Sequence, residues 1–330
     1  MTGARTAPPP TRAGEASAGD LQRPRAVVMV RPHHFRPNPL TAQDNGFQAP
    51  VPSLDDVAAA AHAEVTAAAA ALERHGVRVH LFEDLAADRP DSVFCNNWFT
   101  THHDGTVVVY PMHAANRRRE RRQDVLDALC AHYGVTRVVD LAADVPPGRA
   151  LEGTGAMVLD HVHRVAYVCR SRRTDERLLR RFCDEVGYRP FAFDAYDRGR
   201  PIYHTNVLMA VGATAAVVGA DLLPDPDQRR ALLRSLADGG REVVLLDRTE
   251  IRSFGGNCLE LAGTEPLLAL SATARRALRP RTLAHLEQHV QLLPLDIPVL
   301  ELAGGSVRCM LAGIHLPRGG GTSSAGQVTP

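Results

Sequence analysis

Residues 155–195 read GAMVLDHVHRVAYVCRSRRTDERLLRRFCDEVGYRPFAFDA. Within Gly155–Arg170 two apolar, β-branched runs flank a turn, which predicts a hairpin. Thr174–Val186 follows as a helix and Arg189–Ala195 as a strand. This hairpin, helix and strand order recurs about every fifty residues, the spacing of propeller-like arrays. One unit runs from the hairpin at Trp98–Pro111, turning at His103-Asp104-Gly105, through a helix from about Arg117 to His132, to strand Arg137–Leu141. Another has Tyr203–Gly219, helix Asp225–Ala237 and strand Glu242–Asp247. A fourth has Asn257–Leu270, a helix ending near Gln291 and strand Leu292–Leu295. Remnants stand at both ends: Val307–Leu316, and Ala26–Arg31 with helix Ser53–Gly76 and strand Val77–Phe82. Paired, they make a fifth unit. Ser53 is the expected cap of that helix, with Asp56 three residues on and Gly76 as its stop.

A chain of 330 residues that is 45% apolar and 23% charged can bury a sizeable core. Residues 25–317 are expected to form a single catalytic domain. Met1–Pro24 and Arg318–Pro330 read as disordered tails. The net charge of +1 gives no footprint for nucleic acid or an anionic membrane. No apolar run reaches the roughly 18 residues of a membrane span. Six scattered cysteines without a CxxC pair or an export signal fit a reduced, cytoplasmic protein. No lysine occurs, which removes Schiff-base and pyridoxal-phosphate chemistry and the P-loop lysine. The composition leaves room for a homo-oligomer.

Four segments carry more polar residues than packing needs. DSVFCNNWFTTHHDG (Asp91–Gly105) holds Asn96 and Asn97; LEGTGAMVLD (Leu151–Asp160) holds Glu152 on a turn. PIYHTNVLMAVG (Pro201–Gly212) puts His204 and Asn206 on one face if it is a strand. GGSVRCMLAGI (Gly304–Ile314) puts Cys309 on a strand after a glycine pair that would let a substrate approach the backbone. A thiolate attacks a planar carbon well, given a histidine beside it and an acid to orient that histidine. Each residue alone has a plainer reading: Cys309 as a small buried hydrophobe, His204 as a core histidine, the asparagines as turn formers. The histidines at 33–34, 102–103 and 161/163 lack zinc-ligand spacing and are expected to be solvated, with no metal bound. The run Asn116–Arg122 reads as a solvated basic face or a carboxylate clamp.

Together the segments resemble the guanidino-group-modifying superfamily of arginine deiminases, dimethylarginine dimethylaminohydrolases and amidinotransferases. The markers are VVMVRP, DSVFCNNWFTTHHDG, YPMHAANRRRERR, LEGTGAMVLD, CRSRRT, PIYHTNVLMAVG, FGGNCLEL and GGSVRCMLAGI, in order across Val27–Pro317. The chain is most similar to the citrulline utilisation hydrolase branch. The resemblance implies a five-bladed α/β propeller, the pentein fold. It implies Cys309 as nucleophile, His204 as acid–base and Glu152 as the acid contacting the histidine and substrate nitrogens. It places carboxylate-binding arginines at Arg118 or Arg119 and, in better register, at Arg173. It implies no cofactor.

Two departures bear on substrate. Guanidinium-binding members carry Asp where this chain has Asn97, and again where it has Asn206. An amide drops the charge and adds donors. The pair favours a neutral ureido group, with Cys309 attacking citrulline to give ornithine, ammonia and carbon dioxide. Asn96, Asn97 and Asn206 would line the head-group pocket, and Asp91 is the first further acid that a guanidinium would need. The alternatives are an amidinotransferase, an arginine deiminase or a dimethylarginine dimethylaminohydrolase. From another class, it is a non-catalytic binding protein on the same fold.

Overall fold

The computed structural model describes residues 17–50, 57–143, 145–146 and 148–319. Five three-stranded sheets repeat one plan. Strand β1 (Ala26–Pro32) runs parallel to β2 (Arg78–Asp84), joined through the helix Val57–Arg74. Strand β3 (Phe99–Thr101) pairs antiparallel with β4 (Thr106–Val109), which pairs parallel with β5 (Arg137–Asp140) across the helix Gln123–His132. Strands β6 (Met157–Asp160), β7 (Val165–Cys169) and β8 (Arg189–Phe193) do the same across Glu176–Val186. After a short ribbon, β9 (Tyr196–Asp197) with β10 (Arg200–Pro201), come β11 (Met209–Val211), β12 (Ala215–Val218) and β13 (Glu242–Leu245). The next sheet holds β14 (Leu259–Ala262), β15 (Pro266–Ser271) and β16 (Gln291–Leu295). Finally β17 (Ala312–Ile314) pairs antiparallel with β1, Ala26 opposite Ile314. The chain ends thus share one sheet. Each parallel pair needs a crossover, and the helices supply it.

Local chemistry explains the helices. Val57–Arg74 buries Ala61, Val65, Ala68 and Leu72, one stripe at helical spacing, and Gly76 follows at φ +81°. The expected caps Ser53 and Asp56 lie outside the described residues. The helix predicted from Thr174 starts at Glu176, because Asp175 accepts from the amides of Arg177 and Leu178, and it stops at Gly187.

Three expectations differ from the structure. The helix predicted from about Arg117 is split. Arg117–Glu120 is one 3₁₀ turn, Arg121 and Arg122 are extended, and the α-helix begins at Gln123. Buried Arg117 and Glu120 pair with each other, which holds this turn apart from the surface helix. His204 and Cys309 are not on strands. Thr205–Val207 and Val307–Met310 are single helical turns, closed by Leu208 N–H to Thr205 C=O at 3.0 Å and Cys309 N–H to Ser306 C=O at 2.9 Å. The tail expected over residues 1–24 gives way to order by Ser17, which caps the helix Ala18–Gln22. Buried Gln22 donates to the carbonyls of Leu159 and Val211 and accepts from His161 N–H. Residues 1–16 and 320–330 lie outside the described residues, and Arg318 bridges to Tyr133. Among the described residues no helix is long and apolar enough to cross a membrane.

Candidate active site

The first strand of each hairpin is only three or four residues long, and a tight turn precedes four of them: Cys95–Asn97 before β3, Gly153–Ala156 before β6, Thr205–Val207 before β11 and Val307–Met310 before β17. The candidate residues sit on or beside these turns and meet at the same end of the short strands. Gly155 permits the approach. A Cβ there would lie 2.4 Å from the Asn97 amide nitrogen and 2.7 Å from His204 Nδ1.

Glu152 is fully buried and accepts from His204 Nε2 at 2.8 Å through Oε2 and from His113 N–H at 2.9 Å through Oε1. Burial alone would raise its carboxyl. The guanidinium of Arg173, the His204 hydrogen bond and Arg117 outweigh that and hold it well below the usual range. Burial pushes His204 down to about 4 against the pull of Glu152, so the imidazole is neutral at rest and can accept a proton.

Cys309 Sγ accepts from Asn206 Nδ2 and from Asn257 Nδ2, each at 3.3 Å. Burial pushes the thiols of Cys95, Cys169, Cys183 and Cys258 up to about 12. All six cysteines are unpaired. The other Asn206 atom, Oδ1, is buried without a partner, as is Asp91 Oδ1. Both are acceptors, and buried acceptors without partners call for N–H groups. A narrow cavity of about 10 Å³ is lined by Asp91, Asn97, Arg117, Arg173, His204 and Cys309, among others. Larger clefts of about 230 and 470 Å³ lie elsewhere and contain none of these residues.

The arginines divide. Arg173 gives Asp44 two hydrogen bonds, at 2.9 and 2.6 Å, lies 3.3 Å from Glu152, and stacks on Tyr203 at 4.9 Å. Arg117 donates to Asn97 Oδ1 at 2.8 Å and lies 3.6 Å from Glu152 and 3.7 Å from Asp91. Arg118 reaches the carbonyls of Met112 and His113, and exposed Arg119 pairs with Asp88, so neither joins the cluster. Asn96 is one step back, donating to Thr154 Oγ1 and accepting from Asn97.

The loop of residues 33–50 roofs the cavity. Thr41 and Asn45 line it, Asp44 occupies Arg173, Asn45 donates to Ala303 C=O, and Asn38 donates to Asp91. The glycine pair before Cys309 packs rather than standing open: a Cβ on Gly305 would meet the Phe94 ring at 2.6 Å, and one on Gly304 the Asn45 amide at 2.5 Å. The histidines expected in solvent are partly corrected, since His102 is buried against Thr100 and His161 bonds to Tyr188. Sequence reasoning missed Arg117, Asn257 and Asp44. Arg117 opened the run in which its two neighbours were preferred, and Asn257 stood unremarked inside FGGNCLEL. Asp44 carried no local signal.

The fold is shared with solved guanidino-modifying enzymes. The N-terminal domain of ArgZ, an arginine dihydrolase from the ornithine–ammonia cycle in Cyanobacteria, superposes with a TM-score of 0.68 at 13% identity, over 88% of this chain and 98% of that one. Unliganded AgrE gives 0.68 at 15% identity, over 88% of this chain and 40% of that one. A dimethylarginine dimethylaminohydrolase adduct with 4-chloro-2-hydroxymethylpyridine gives 0.59 at 15%, over 88% and 100%. At these identities the likeness is one of fold. The chain belongs to the N,N-dimethylarginine dimethylhydrolase family, whose eukaryotic model matches residues 31–316. It is therefore a hydrolase acting on C–N bonds other than peptide bonds. No curated protein sequence matches it.

Proposed function

We propose that the protein hydrolyses the ureido group of an amino acid, citrulline above all, through a covalent bond to Cys309, as in the citrulline utilisation branch. The observation that carries this is the pair of amide donors, Asn206 and Asn257, 3.3 Å from Cys309 Sγ. The attacking sulfur accepts from two neutral amides, and the buried carboxylates nearby already have cations: Glu152 has Arg173, and Arg117 lies beside Asp91. A neutral head group brings no further charge into a desolvated pocket, where an unpaired ion costs several kcal/mol.

His204 takes the Cys309 proton, and Glu152 stabilises the imidazolium. Sγ bonds to the ureido carbon, the terminal C–N bond breaks, and His204 returns the proton to the departing ammonia. His204 then draws a proton from water. The water oxygen bonds to the carbon, the S–C bond breaks as His204 passes its proton to Sγ, and the carbamic acid released loses carbon dioxide to give ornithine. Arg173 binds the substrate's α-carboxylate once Asp44 has left it. The chain works as one domain over residues 25–317, its five sheets the blades of a closed five-bladed α/β propeller. The reduced cysteines suit the cytoplasm.

A second reading rests on Asp91. Its buried Oδ1 without a partner offers a guanidinium the counter-ion that the asparagines do not. Arginine or dimethylarginine would then be the substrate. Rates of ammonia and amine release from citrulline, arginine and dimethylarginine, measured side by side, decide between them. Citrulline is expected to be fastest, with ornithine and ammonia in equal amounts. A faster rate on either guanidinium overturns the ureido reading in favour of Asp91.

A further inference from the structure

Strands β3, β6 and β17 lead away from the turns that carry the candidate site. Just past their far ends stand three histidines. His103 is in the β3–β4 turn, His161 in the β6–β7 turn, and His315 follows β17 directly. They come from three different sheets. Ring centres lie 5.2 Å apart for His103 and His315, 6.1 Å for His103 and His161, and 3.8 Å for the stacked His161 and His315. One ring nitrogen of each lies within 4.8 Å of the other two.

Their outward bonds leave ring nitrogens free. His103 Nε2 sits 2.7 Å from the Leu21 carbonyl, which can only accept, so Nε2 carries the proton and Nδ1 keeps a lone pair. His161 Nδ1 is bonded to the Tyr188 hydroxyl at 2.8 Å, which leaves Nε2. His315 is 8% exposed, and its Nδ1 is buried without any partner. Partners on the outer nitrogens, such as Leu21 C=O and the Tyr188 hydroxyl, are what metal-bound histidines ordinarily have.

We propose that His103, His161 and His315 form a site for one zinc-like divalent transition-metal ion, at the end of the short strands remote from Cys309. Three imidazoles about 2.0–2.1 Å from a tetrahedral ion place their ring centres roughly 5 Å apart. The His103–His315 spacing is close to that, while the His103–His161 pair must draw in, and the stacked pair splay, by about 1 Å each to match it. Three nitrogen donors select zinc, cobalt, nickel or copper over magnesium or calcium, which prefer oxygen. No carboxylate completes the set among the described residues. The fourth position falls to water or an anion, which also offsets the charge of Arg308, the buried cation that bears on His161 and His315. The ion would tie three sheets together. Through the Leu21 carbonyl on His103 it would also hold the helix Ala18–Gln22. The other such group, His33–His62–Glu83, is already engaged: Arg31 and His33 pair with Glu83.

The test uses the full chain carrying Cys309→Ala, so that the thiol cannot bind metal. The protein is stripped with a chelator, dialysed and titrated with Co²⁺. One Co²⁺ per chain is expected, with the visible bands of tetrahedral nitrogen coordination, no sulfur charge-transfer band, and displacement by Zn²⁺. His103→Gln and His161→Gln should each weaken binding at least about tenfold, with unchanged far-UV circular dichroism. If His161→Gln does not fold, His103→Gln, altered in a turn, decides. Failure to bind below about millimolar Co²⁺, or binding untouched in the folded variants, overturns the site.

Discussion

A thiol is a nucleophile only where its surroundings accept a charged sulfur, and the two cysteines that follow glycine pairs have different neighbours. Cys258 follows a glycine pair just as Cys309 does, yet it is packed in an apolar cluster with Val211 and Leu268 and its thiol is pushed up to about 12. Cys309 has two amide donors and shares a cavity with His204. Cys309→Ala is expected to abolish turnover in the ammonia assay. Cys258→Ala should keep most of it and lose about 1 kcal/mol of stability for the small cavity left. Equal loss of turnover in two folded variants would reassign the nucleophile.

At the level of the element, the loop of residues 33–50 and the turns before the short strands do different work. The turns bring the candidate residues together, and the loop encloses them. His204 and Cys309 are each 2% exposed, so nothing the size of an amino acid enters until the loop moves. Its strongest tie is the Asp44 carboxylate on Arg173. A charge-assisted hydrogen bond of this kind contributes roughly 1.5–3 kcal/mol, or ten- to a hundredfold in an opening equilibrium. Asp44→Asn should therefore speed alkylation of Cys309 by a small thiol reagent by about tenfold or more, read as the labelled Cys309 peptide by mass spectrometry. Labelling at the wild-type rate would mean that the loop opens without breaking this contact.

For the whole molecule, closure joins residues that are far apart in sequence, and the first described residues take part in it. Gln22 makes two buried hydrogen bonds and one part-buried one, to two different sheets and a turn. At about 1 kcal/mol each, their loss should cost roughly 2–4 kcal/mol. Removal of residues 1–22 should lower Tm by several degrees. Removal through Arg31 takes away β1, the centre of its sheet, and should give an insoluble or unfolded chain. A cooperative thermal transition in that last variant would contradict the closure.

The buried histidines set a pH dependence on the same scale. Folded and unfolded chains both carry neutral imidazoles above about pH 6.5. Below that the unfolded chain takes up protons first, because burial holds His204 at about 4 and His102 at about 3. Stability should thus fall as pH drops from 6.5 toward 4. His161 and His315, also held low, act in the same direction. The midpoint of urea unfolding, followed across that window, checks it, and a flat midpoint would mean that these rings are not buried neutral.

Much of the element order could be read directly, because hairpin, helix and strand each leave a local pattern of apolar period, caps and turns. Asp175 before its helix and Gly76 after another are signals of this kind. The segments carrying Glu152, His204 and Cys309 were legible for the same reason, as polar residues set in apolar runs. Their local backbone was not. A three-residue strand and the turn before it look alike in sequence, so His204 and Cys309 were expected in strands where helical turns stand. Which arginine of the 117–119 run turns inward depended on where Asn97 and Glu152 came to lie. That Asp44 meets Arg173 across 129 residues, or that His103, His161 and His315 gather, is set by how the sheets pack against one another. Periodicity and capping act within a turn or two of the chain, whereas a site assembled from several sheets exists only once all of them are packed.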